Sequence, residues 1–511
     1  MMNRWFTSLF KSSMSGFLLC LSLSSGASVF ADVKLPNVFS DHMVLQRDQP
    51  NKLWGKAEPA ESISASIAGQ TIAATADASG LWSLMLPKLE VGGPHTLVVK
   101  GKNELKINDI LVGEVWICSG QSNMQWTVKS ANDSDLELLT ANNSQIRMIN
   151  FPQVGSQTPI WSHDDRKWQV SSTETVGGFS AVGYFFARQL QQTLGVPVGM
   201  VNNAWGGSAC EAWVDLDTLK KAGSYQAMID SLSTRNQQYS DLLAIKEPDT
   251  KQTEQLENLK KSVTGNQNPS NIYNGVLSSH IGYGIRGAIW YQGETNAGRA
   301  YQYRELFPLM ISTWRKDWNQ GDFPFYWVQL ADFKAEKDNP EESEWAELRE
   351  AQTMTMKALP KTGQAVIVDI GEGKDIHPKN KVDVGRRLAR WALANEYGVN
   401  IPFHSPEYKA MEIMDDKVKL QFDHFGNGWR PFDTAEPKGF AIAGEDRKFV
   451  WATATIAKDN TVIVSSPEVS APVAVRYAWS DNPRCNMFGQ TGLPLTPFRT
   501  DDWPGLTAVK K

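Results

Sequence analysis

The 511-residue sequence has little cysteine, no excess of positive charge and no long hydrophobic run after its first residues. With 51 Lys and Arg against 56 Asp and Glu, its net charge of -5 gives no electrostatic footprint for nucleic acid or for an anionic membrane surface. It also lacks an H-E-x-x-H motif or a similar close set of metal ligands, which disfavours a metal-dependent enzyme. No internal repeat or low-complexity segment is present.

The first 31 residues have the pattern of a secretory signal peptide. Arg4 and Lys11 are positive, residues 17–21 are apolar, and Val29-Phe30-Ala31 offers small residues before Asp32. The apolar centre is too short to span a bilayer, so we expect cleavage, no membrane insertion afterwards, and a periplasmic or secreted product. Removing this segment leaves Cys118, Cys210 and Cys485, and three cysteines predict no disulfide framework.

The chain is too long for one ordinary domain, and its patterns divide it into three parts. Residues 32–108 show short alternating runs broken by turn residues, which predicts an N-terminal β-sandwich module. Residues 109–400 alternate strands with longer helical patterns and form the predicted catalytic domain, with a polar helical insertion at about 216–265. Residues 401–511 return to a strand pattern and predict a C-terminal β module.

The middle part predicts an α/β fold, a parallel sheet with helices on both faces. The candidate helices are 183–194 and 382–396. The candidate strands are 110–117, 198–202, 287–291, 325–330 and 365–370.

Ser122 lies in Gly120-Gln121-Ser122-Asn123-Met124, directly after the apolar run of residues 110–117. A strand that ends in such a turn can place a serine hydroxyl at the carboxyl edge of a parallel sheet, where open α/β sheets bind ligands. The hydroxyl needs a base before it can act as a nucleophile. A lipase of the α/β-hydrolase type is disfavoured, because the segment is not G-x-S-x-G.

His377 is the strongest candidate for that base among the seven histidines. It lies in the loop Asp375-Ile376-His377-Pro378-Lys379 between a predicted strand and a predicted helix. Asp375 is close enough to accept the imidazole N–H, although it could instead serve only to cap the helix or solvate the loop.

Two further strand ends carry possible donors for an oxyanion. Residues 202–208 (N-N-A-W-G-G-S) offer backbone N–H groups at glycine, and residues 290–296 (W-Y-Q-G-E-T-N) offer the side-chain amides of Gln292 and Asn296. Each segment could also be an ordinary turn. Four strand ends therefore offer a nucleophile, two donor segments and an acid–base pair.

These blocks, together with L-P-N-V-F-S-D-H-M-V-L-Q-R at residues 35–47, resemble those of sialate O-acetylesterases, a branch of the SGNH hydrolase superfamily. The resemblance extends over nearly the whole chain after residue 33. It implies an SGNH-type, flavodoxin-like hydrolase domain, flanked by the two β modules. It also implies no cofactor and no metal.

The resemblance also assigns roles to residues. It makes Ser122 the nucleophile and His377 the base, with the N–H of Ser122, the N–H of Gly207 (or Gly206) and the side chain of Gln292 as the oxyanion hole. Many members place Asp three residues before the histidine, where this chain has Lys374. Asp375 is the obvious substitute, and a Ser–His dyad is the alternative. Asn296 competes with Gln292, and Glu294 and Arg349 are expected to tie loops together.

The expected function is a serine esterase that removes O-acetyl groups from carbohydrates, most similar to sialate O-acetylesterase. The alternative is an acetyl esterase for a plant polysaccharide such as acetylxylan, xyloglucan or pectin. A remote alternative is a non-catalytic carbohydrate-binding protein, which the β modules and the 19 tryptophans would permit.

Overall fold

The computed structural model of the protein describes residues 32–508. The predicted signal peptide, residues 1–31, lies outside the described residues. Within residues 32–508, no helix is both long enough and apolar enough to cross a membrane.

The N-terminal part is built from strands whose side chains alternate between buried and exposed, as in β5, which is the period of a half-buried strand. β3 pairs antiparallel with β4 and β6, β6 pairs with β7, and β2 pairs with β5. The strands are β1 (Val44–Gln46), β2 (Asn51–Lys56), β3 (Ser62–Ile67), β4 (Gln70–Thr75), β5 (Leu81–Leu86), β6 (Gly92–Lys100) and β7 (Glu104–Gly120).

The middle part is an α/β layer structure. Its elements are α1 (Ser122–Gln125), α2 (Ser134–Leu139), β8 (Asn143–Asn150), β9 (Gln169–Ser171), α3 (Ala181–Leu194), β10 (Val198–Asn202), α4 (Leu216–Ala222), α5 (Gln226–Leu243), α6 (Thr250–Val263), α7 (Asn271–Gly275), β11 (Gly287–Tyr291), α8 (Ala300–Trp318), β12 (Phe325–Val328), α9 (Glu344–Ala358), β13 (Thr362–Ala365) and α10 (Lys381–Asn395). The helices α4, α5 and α6 occupy the region of the predicted insertion.

The central sheet has the order β13-β12-β11-β7-β10-β8, and all of these neighbours are parallel. β9 adds an antiparallel edge next to β8. β7 is 17 residues long and pairs with β6 in its first half and with β10 and β11 in its second, so the predicted boundary at residue 108 falls inside one strand.

Both faces of this sheet are covered by helices. Trp116 and Cys118 of β7 share one apolar core with α3 and α10, whereas Ile117 between them belongs to the core that contains α8. This alternation follows from the two-residue period of a strand. The prediction of a parallel α/β sheet with helices on both faces is confirmed.

The last strand of this sheet differs from its prediction. A strand was expected at residues 365–370, but β13 is Thr362–Ala365, and Val366 to Ile370 form an irregular segment that is buried except at Asp369. Arg387 binds this segment, with its guanidinium on the carbonyl of Val366 at 2.7 Å and on the carboxylate of Asp369 at 2.6 Å. β12 also ends at Val328, two residues earlier than expected.

The C-terminal part contains two antiparallel four-stranded sheets, ordered β14-β15-β19-β18 and β17-β16-β20-β21, which share one apolar core. The strands are β14 (Glu407–Met414), β15 (Lys417–Asp423), β16 (Phe440–Ala443), β17 (Val450–Trp451), β18 (Thr453–Ile456), β19 (Val462–Ser465), β20 (Ala474–Tyr477) and β21 (Phe498–Arg499).

Arg349 of α9 joins the C-terminal part to the central sheet. Its fully buried guanidinium donates to the carbonyls of Leu330 and Ala331 after β12, both at 2.8 Å. It also donates to the carbonyls of Ser480 and Asp481 after β20, at 2.7 and 3.0 Å. The planar fork of an arginine is suited to such convergent acceptors, so this side chain ties two loops together as the sequence led us to expect.

We therefore expect Arg349→Met to lower the melting temperature and to expose the amides of residues 480–482 to hydrogen exchange. The substitution removes four hydrogen bonds and leaves the carbonyls of Leu330 and Ser480 without a donor from the described part of the chain, whereas those of Ala331 and Asp481 keep the N–H groups of Trp345 and Phe333. Each hydrogen bond to a charged group contributes about 1.5–3 kcal/mol. Arg386→Met is the control, because the side chain of Arg386 is exposed and lies 4.0 Å from Asp383. Equal melting temperatures for the two variants would contradict the role of Arg349.

Candidate active site

The carboxyl ends of β10, β7 and β11 are neighbours in the sheet, and the segment that holds Ser122 follows the middle one. β7 ends at Gly120, whose φ of +131° is open mainly to glycine. A Cβ at Gly120 would lie 2.2 Å from the carbonyl oxygen of Tyr291 on β11. The close approach of two strands thus requires a glycine two residues before Ser122.

Ser122 is hydrogen-bonded to His377 across the carboxyl edge of the sheet. The distance from His377 Nε2 to Ser122 Oγ is 2.9 Å. The other ring nitrogen, Nδ1, lies 3.2 Å from Asp375 Oδ1. The indole of Trp126 stacks on the imidazole, with ring centroids 5.0 Å apart and an interplanar angle of 16°. The structure therefore brings together the three residues that the sequence proposed as nucleophile, base and acid.

Asp375 is well placed to orient the imidazole but is not shielded from solvent, since its side chain is 38% exposed. It also accepts the backbone N–H of His377 at 3.0 Å, and Lys379 Nζ lies 3.5 Å from its second oxygen. These contacts, the backbone hydrogen bond first, hold the pKa of Asp375 below its ordinary value. Asp375 is therefore ionised at neutral pH.

Two backbone N–H groups near the serine are free to stabilise an oxyanion. Within residues 32–508, neither the N–H of Ser122, at the start of α1, nor the N–H of Gly207 has an acceptor. The N–H of Gly206 instead donates to the side chain of Gln125 at 2.7 Å. A Cβ at Gly206 would lie 3.3 Å from the Cβ of Ser122, so this glycine loop rests on the serine. Of the two glycines considered, Gly207 has the available donor.

Gln292 does not offer the donor that was expected of it. Its buried amide nitrogen already donates to the carbonyl of Ser208 at 3.1 Å and to Asn296 Oδ1 at 2.7 Å. Its oxygen accepts from Tyr303 at 2.9 Å. The competing candidate, Asn296, is partly engaged, because its nitrogen donates one hydrogen to Glu211 at 2.9 Å. Both hydrogens of the Gln292 amide are committed, so in this geometry it supports the loops beside the site.

The sequence reasoning missed the role of Asn123, the residue after the serine. Its amide nitrogen donates to the carbonyl of Ile376 at 3.0 Å and to Glu294 Oε1 at 2.7 Å. Its oxygen accepts from Lys381 Nζ at 2.5 Å. One buried amide thus connects the helix of the nucleophile, the loop of the histidine and the loop after β11.

The two charged ends of this network are strongly desolvated. Lys381 is 0% exposed, and burial lowers its pKa to about 7 against the pull of Glu294. Burial raises the pKa of Glu294, and its Oε2 has no hydrogen-bond partner in the described part of the chain. Lys381 Nζ also lies 5.2 Å from the ring centroid of Tyr291 and 5.9 Å from that of Trp126, the ring that stacks on His377.

No group of three or more His, Cys, Asp or Glu side chains suited to a metal ion occurs among residues 32–508. Cys118, Cys210 and Cys485 are free thiols. Ser122, His377 and Asp375 form one hydrogen-bond chain at this edge of the sheet. A Ser–His–Asp hydrogen-bond chain at the carboxyl edge of a parallel α/β sheet is the arrangement of a serine hydrolase.

Comparison with known proteins narrows this class. The family model described as carbohydrate esterase, sialic acid-specific acetylesterase, matches residues 112–265 and 266–394. This is more than half of the chain, and the chain belongs to this family. It is a carboxylic ester hydrolase, and the reaction it catalyses is the O-deacetylation of carbohydrates.

The similarity to individual relatives extends over almost the full length of this chain and of each relative. The chain is 27% identical to human sialate O-acetylesterase over 96% of its own length and 97% of the relative. It is 26% identical to the mouse enzyme of the same name, over 94% and 97%. The solved structure of a carbohydrate acetylesterase from Xanthomonas citri is similar to it with a TM-score of 0.80 and 41% identity, covering 92% of this chain and all of that one.

The buried lysine predicts a specific pH dependence of stability. The pKa of Lys381 is about 7 when folded against an ordinary 10.5, so between these values the unfolded chain binds the extra proton. Raising the pH through this window stabilises the folded protein relative to Lys381→Met, by up to about 1.4 kcal/mol per pH unit. We expect the difference in melting temperature, wild type minus variant, to increase from pH 7 to about 10.5. The exposed Lys374→Met is the control, and a constant difference for Lys381→Met would contradict the shift.

Proposed function

We propose that Ser122 is the nucleophile, His377 the general base and acid, and Asp375 the residue that orients the imidazole, in an acyl-enzyme mechanism. The observation that carries this proposal is the 2.9 Å contact between His377 Nε2 and Ser122 Oγ, with Asp375 on the opposite ring nitrogen. A nucleophile, a base in hydrogen-bond reach and a third group that orients the base are the features such catalysis requires.

The steps follow from this geometry. His377 takes the proton of Ser122 as the hydroxyl attacks the acetyl carbonyl, and the N–H groups of Ser122 and Gly207 stabilise the oxyanion. The imidazolium then protonates the sugar oxygen as its bond to the acetyl carbon breaks, so that the sugar leaves as an alcohol and acetyl-Ser122 remains. A water molecule, deprotonated by His377, attacks this ester and releases acetate. Gln292 takes no part as a donor, because its amide hydrogens are already engaged.

We propose that the sugar binds in a cleft beside the loop that contains Gly206 and Gly207. A polar cleft of about 410 Å³ is lined by Gln267, Asn268 and Thr295 and by residues of α5, the long helix of the insertion. Gln267 donates to the carbonyl of Gly207 at 3.2 Å, so the cleft adjoins the proposed oxyanion hole. We propose that the insertion forms one wall of the substrate cleft.

Arg235 of α5 supports an acidic sugar as the substrate. Its guanidinium binds Asn268 at 2.7 Å and Ser231 at 2.8 Å, but within residues 32–508 it has no acidic partner, and its buried Nε has no acceptor. Arg235 is available to the carboxylate of a ligand, since the acidic side chain of the cleft lining, Glu211, is paired with Arg299 at 2.6 Å. We therefore propose O-acetylated sialic acid as the preferred substrate.

An acetylated plant polysaccharide, such as acetylxylan, xyloglucan or pectin, is the second proposal. It is favoured by the higher identity, 41%, to a protein described only as a carbohydrate acetylesterase than to the human and mouse sialate O-acetylesterases, at 27% and 26%. In either case we propose that the enzyme acts in the periplasm or outside the cell, a proposal that rests on the signal-peptide pattern of residues 1–31.

We expect Ser122→Ala to lower kcat for p-nitrophenyl acetate by about 10⁴-fold or more, because the nucleophile is lost. Asp375→Asn is expected to cost less, about 10- to 100-fold, since Asp375 is partly exposed and the His377 loop is also held by Asn123. Lys374→Ala, in the same loop but exposed, should leave the rate unchanged. Near-normal hydrolysis by Ser122→Ala would refute the mechanism, and an unchanged rate for Asp375→Asn would leave a Ser–His dyad.

The substrate proposal is tested by acetate release from O-acetylated sialic acids, acetylxylan, acetylated xyloglucan and acetylated pectin. For Arg235→Gln we expect kcat/KM on acetylated sialic acid to fall about 10-fold or more, the value of one hydrogen bond to a charged group, with p-nitrophenyl acetate unaffected. Arg235→Lys should recover part of the loss, and Arg386→Gln is the matched surface control. Equal kcat/KM on sialic acid for Arg235→Gln and the wild type would favour the polysaccharide proposal.

A further inference from the structure

A second cavity lies in the C-terminal part, away from the serine. It has a volume of about 180 Å³, similar to the size of one sugar ring, and lies between the segment after β12 and the sheet that contains β16, β17 and β20. Its lining includes Phe449, Trp451 and Trp479, together with Arg476 and Glu342. The cavity thus combines aromatic faces with polar groups, the composition of small-molecule sites in general.

The aromatic walls are held in place before any ligand arrives. The indole of Trp451 is 40% exposed, yet its N–H donates to the carbonyl of Asp338 at 2.7 Å. The guanidinium of Arg476 lies 4.1 Å from the ring centroid of Phe449 and 5.0 Å from that of Trp479. An exposed tryptophan fixed in this way is an apolar platform with little conformational entropy to lose on binding.

One polar atom of the lining is left without a partner. The indole N–H of Trp479 is buried and has no acceptor within residues 32–508. Buried donors are almost always satisfied, and an unpaired one costs about 1–3 kcal/mol. Trp479 therefore offers a donor that a hydroxyl group could satisfy after a small shift.

The charges of the cavity are balanced among themselves. Arg476 donates to Asp501 at 2.8 and 3.0 Å and to Glu342 at 2.8 Å, so its charge is already neutralised. Arg447 and Glu341 add one further charge of each sign to the lining. A site without net charge favours a neutral ligand whose hydroxyl groups meet both donors and acceptors, in contrast to the unpaired Arg235 of the catalytic cleft.

The segment that follows Trp479 packs against the loop that contains His377. Three residues after Trp479, Asn482 donates to the carbonyl of Lys334 at 2.7 Å. A Cβ at Gly373, four residues before His377, would lie 3.0 Å from the amide nitrogen of Asn482. The segment that follows the cavity residue Trp479 is therefore in contact with the loop of the proposed base.

We propose that this cavity binds a neutral pyranose unit of the carbohydrate substrate, outside the catalytic cleft. Trp451 stacks on the apolar face of the ring, and Trp479, Arg476 and Glu342 meet its hydroxyl groups. The contribution to catalysis rests on the proposed function, whereas binding to the cavity does not require it. The C-terminal part is then a second site of sugar recognition, and the natural substrate is an oligosaccharide or polymer.

Binding is tested with the full-length Ser122→Ala protein and three neutral probes, cellohexaose, xylohexaose and lacto-N-tetraose, by isothermal titration calorimetry. We expect at least one probe to bind and Trp451→Ala to weaken it about 10-fold or more, as the loss of an aromatic anchor does. Trp451→Tyr keeps a ring and should bind like the parent. Phe432→Ala is the control, because Phe432 is 68% exposed in the same part of the chain and does not line the cavity.

The link to catalysis is tested in the protein that retains Ser122. Trp451→Ala should raise KM for an acetylated polysaccharide or glycan and leave kcat/KM for p-nitrophenyl acetate unchanged. The proposal is overturned if no probe binds at millimolar concentration, if Trp451→Ala and Phe432→Ala behave alike, or if Trp451→Ala lowers both activities equally. Full activity of Ser122→Ala would instead refute the proposed mechanism and leave the binding result standing.

Discussion

The buried amide of Asn123 is the constraint on which the rest of the site depends. It belongs to the short helix of Ser122, yet its three hydrogen bonds reach the carbonyl before His377, the carboxylate of Glu294 and the ammonium of Lys381. Ser122 and His377 are 255 residues apart in the chain, and a shift of about 1 Å at such a pair is costly to catalysis. The sheet brings the two loops to one edge, and this amide fixes the distance between them.

Much of the fold and the serine–histidine pair could be predicted from the sequence, because both follow from local patterns. The apolar run before Gly120 and the loop before α10 place Ser122 and His377 at strand ends, and parallel strands share one carboxyl edge. The limits of the last strand could not be predicted in this way. Val366, Ile367, Val368 and Ile370 are buried and apolar like a strand, but the ladder stops at Ala365, and a side chain remote in sequence, Arg387, binds the irregular segment that follows.

The oxyanion donors show a second limit of prediction from sequence. Residue type indicates that Gln292 carries an amide, but not whether Ser208 and Asn296 have already engaged its hydrogens. Lys381 could have been found with more attention to spacing. Lys381, Val384, Gly385 and Leu388 recur at helical intervals and are all fully buried, so a lysine on this face must point into the core. The helical spacing therefore indicates that Lys381 is buried near the proposed base, which the sequence of the loop by itself does not indicate.

The positions of the charges suggest a division of tasks between Asp375 and the buried network. The carboxylate of Asp375 is partly exposed and also contacts a backbone N–H and Lys379. Solvent and these neighbours therefore weaken its electrostatic interaction with the imidazole of His377. Lys381 and Glu294 are desolvated, which makes their interaction with the Asn123 amide stronger and their burial costly. Such a cost is tolerated where it fixes geometry. The position of the His377 loop is therefore held by the buried amide of Asn123 as well as by Asp375.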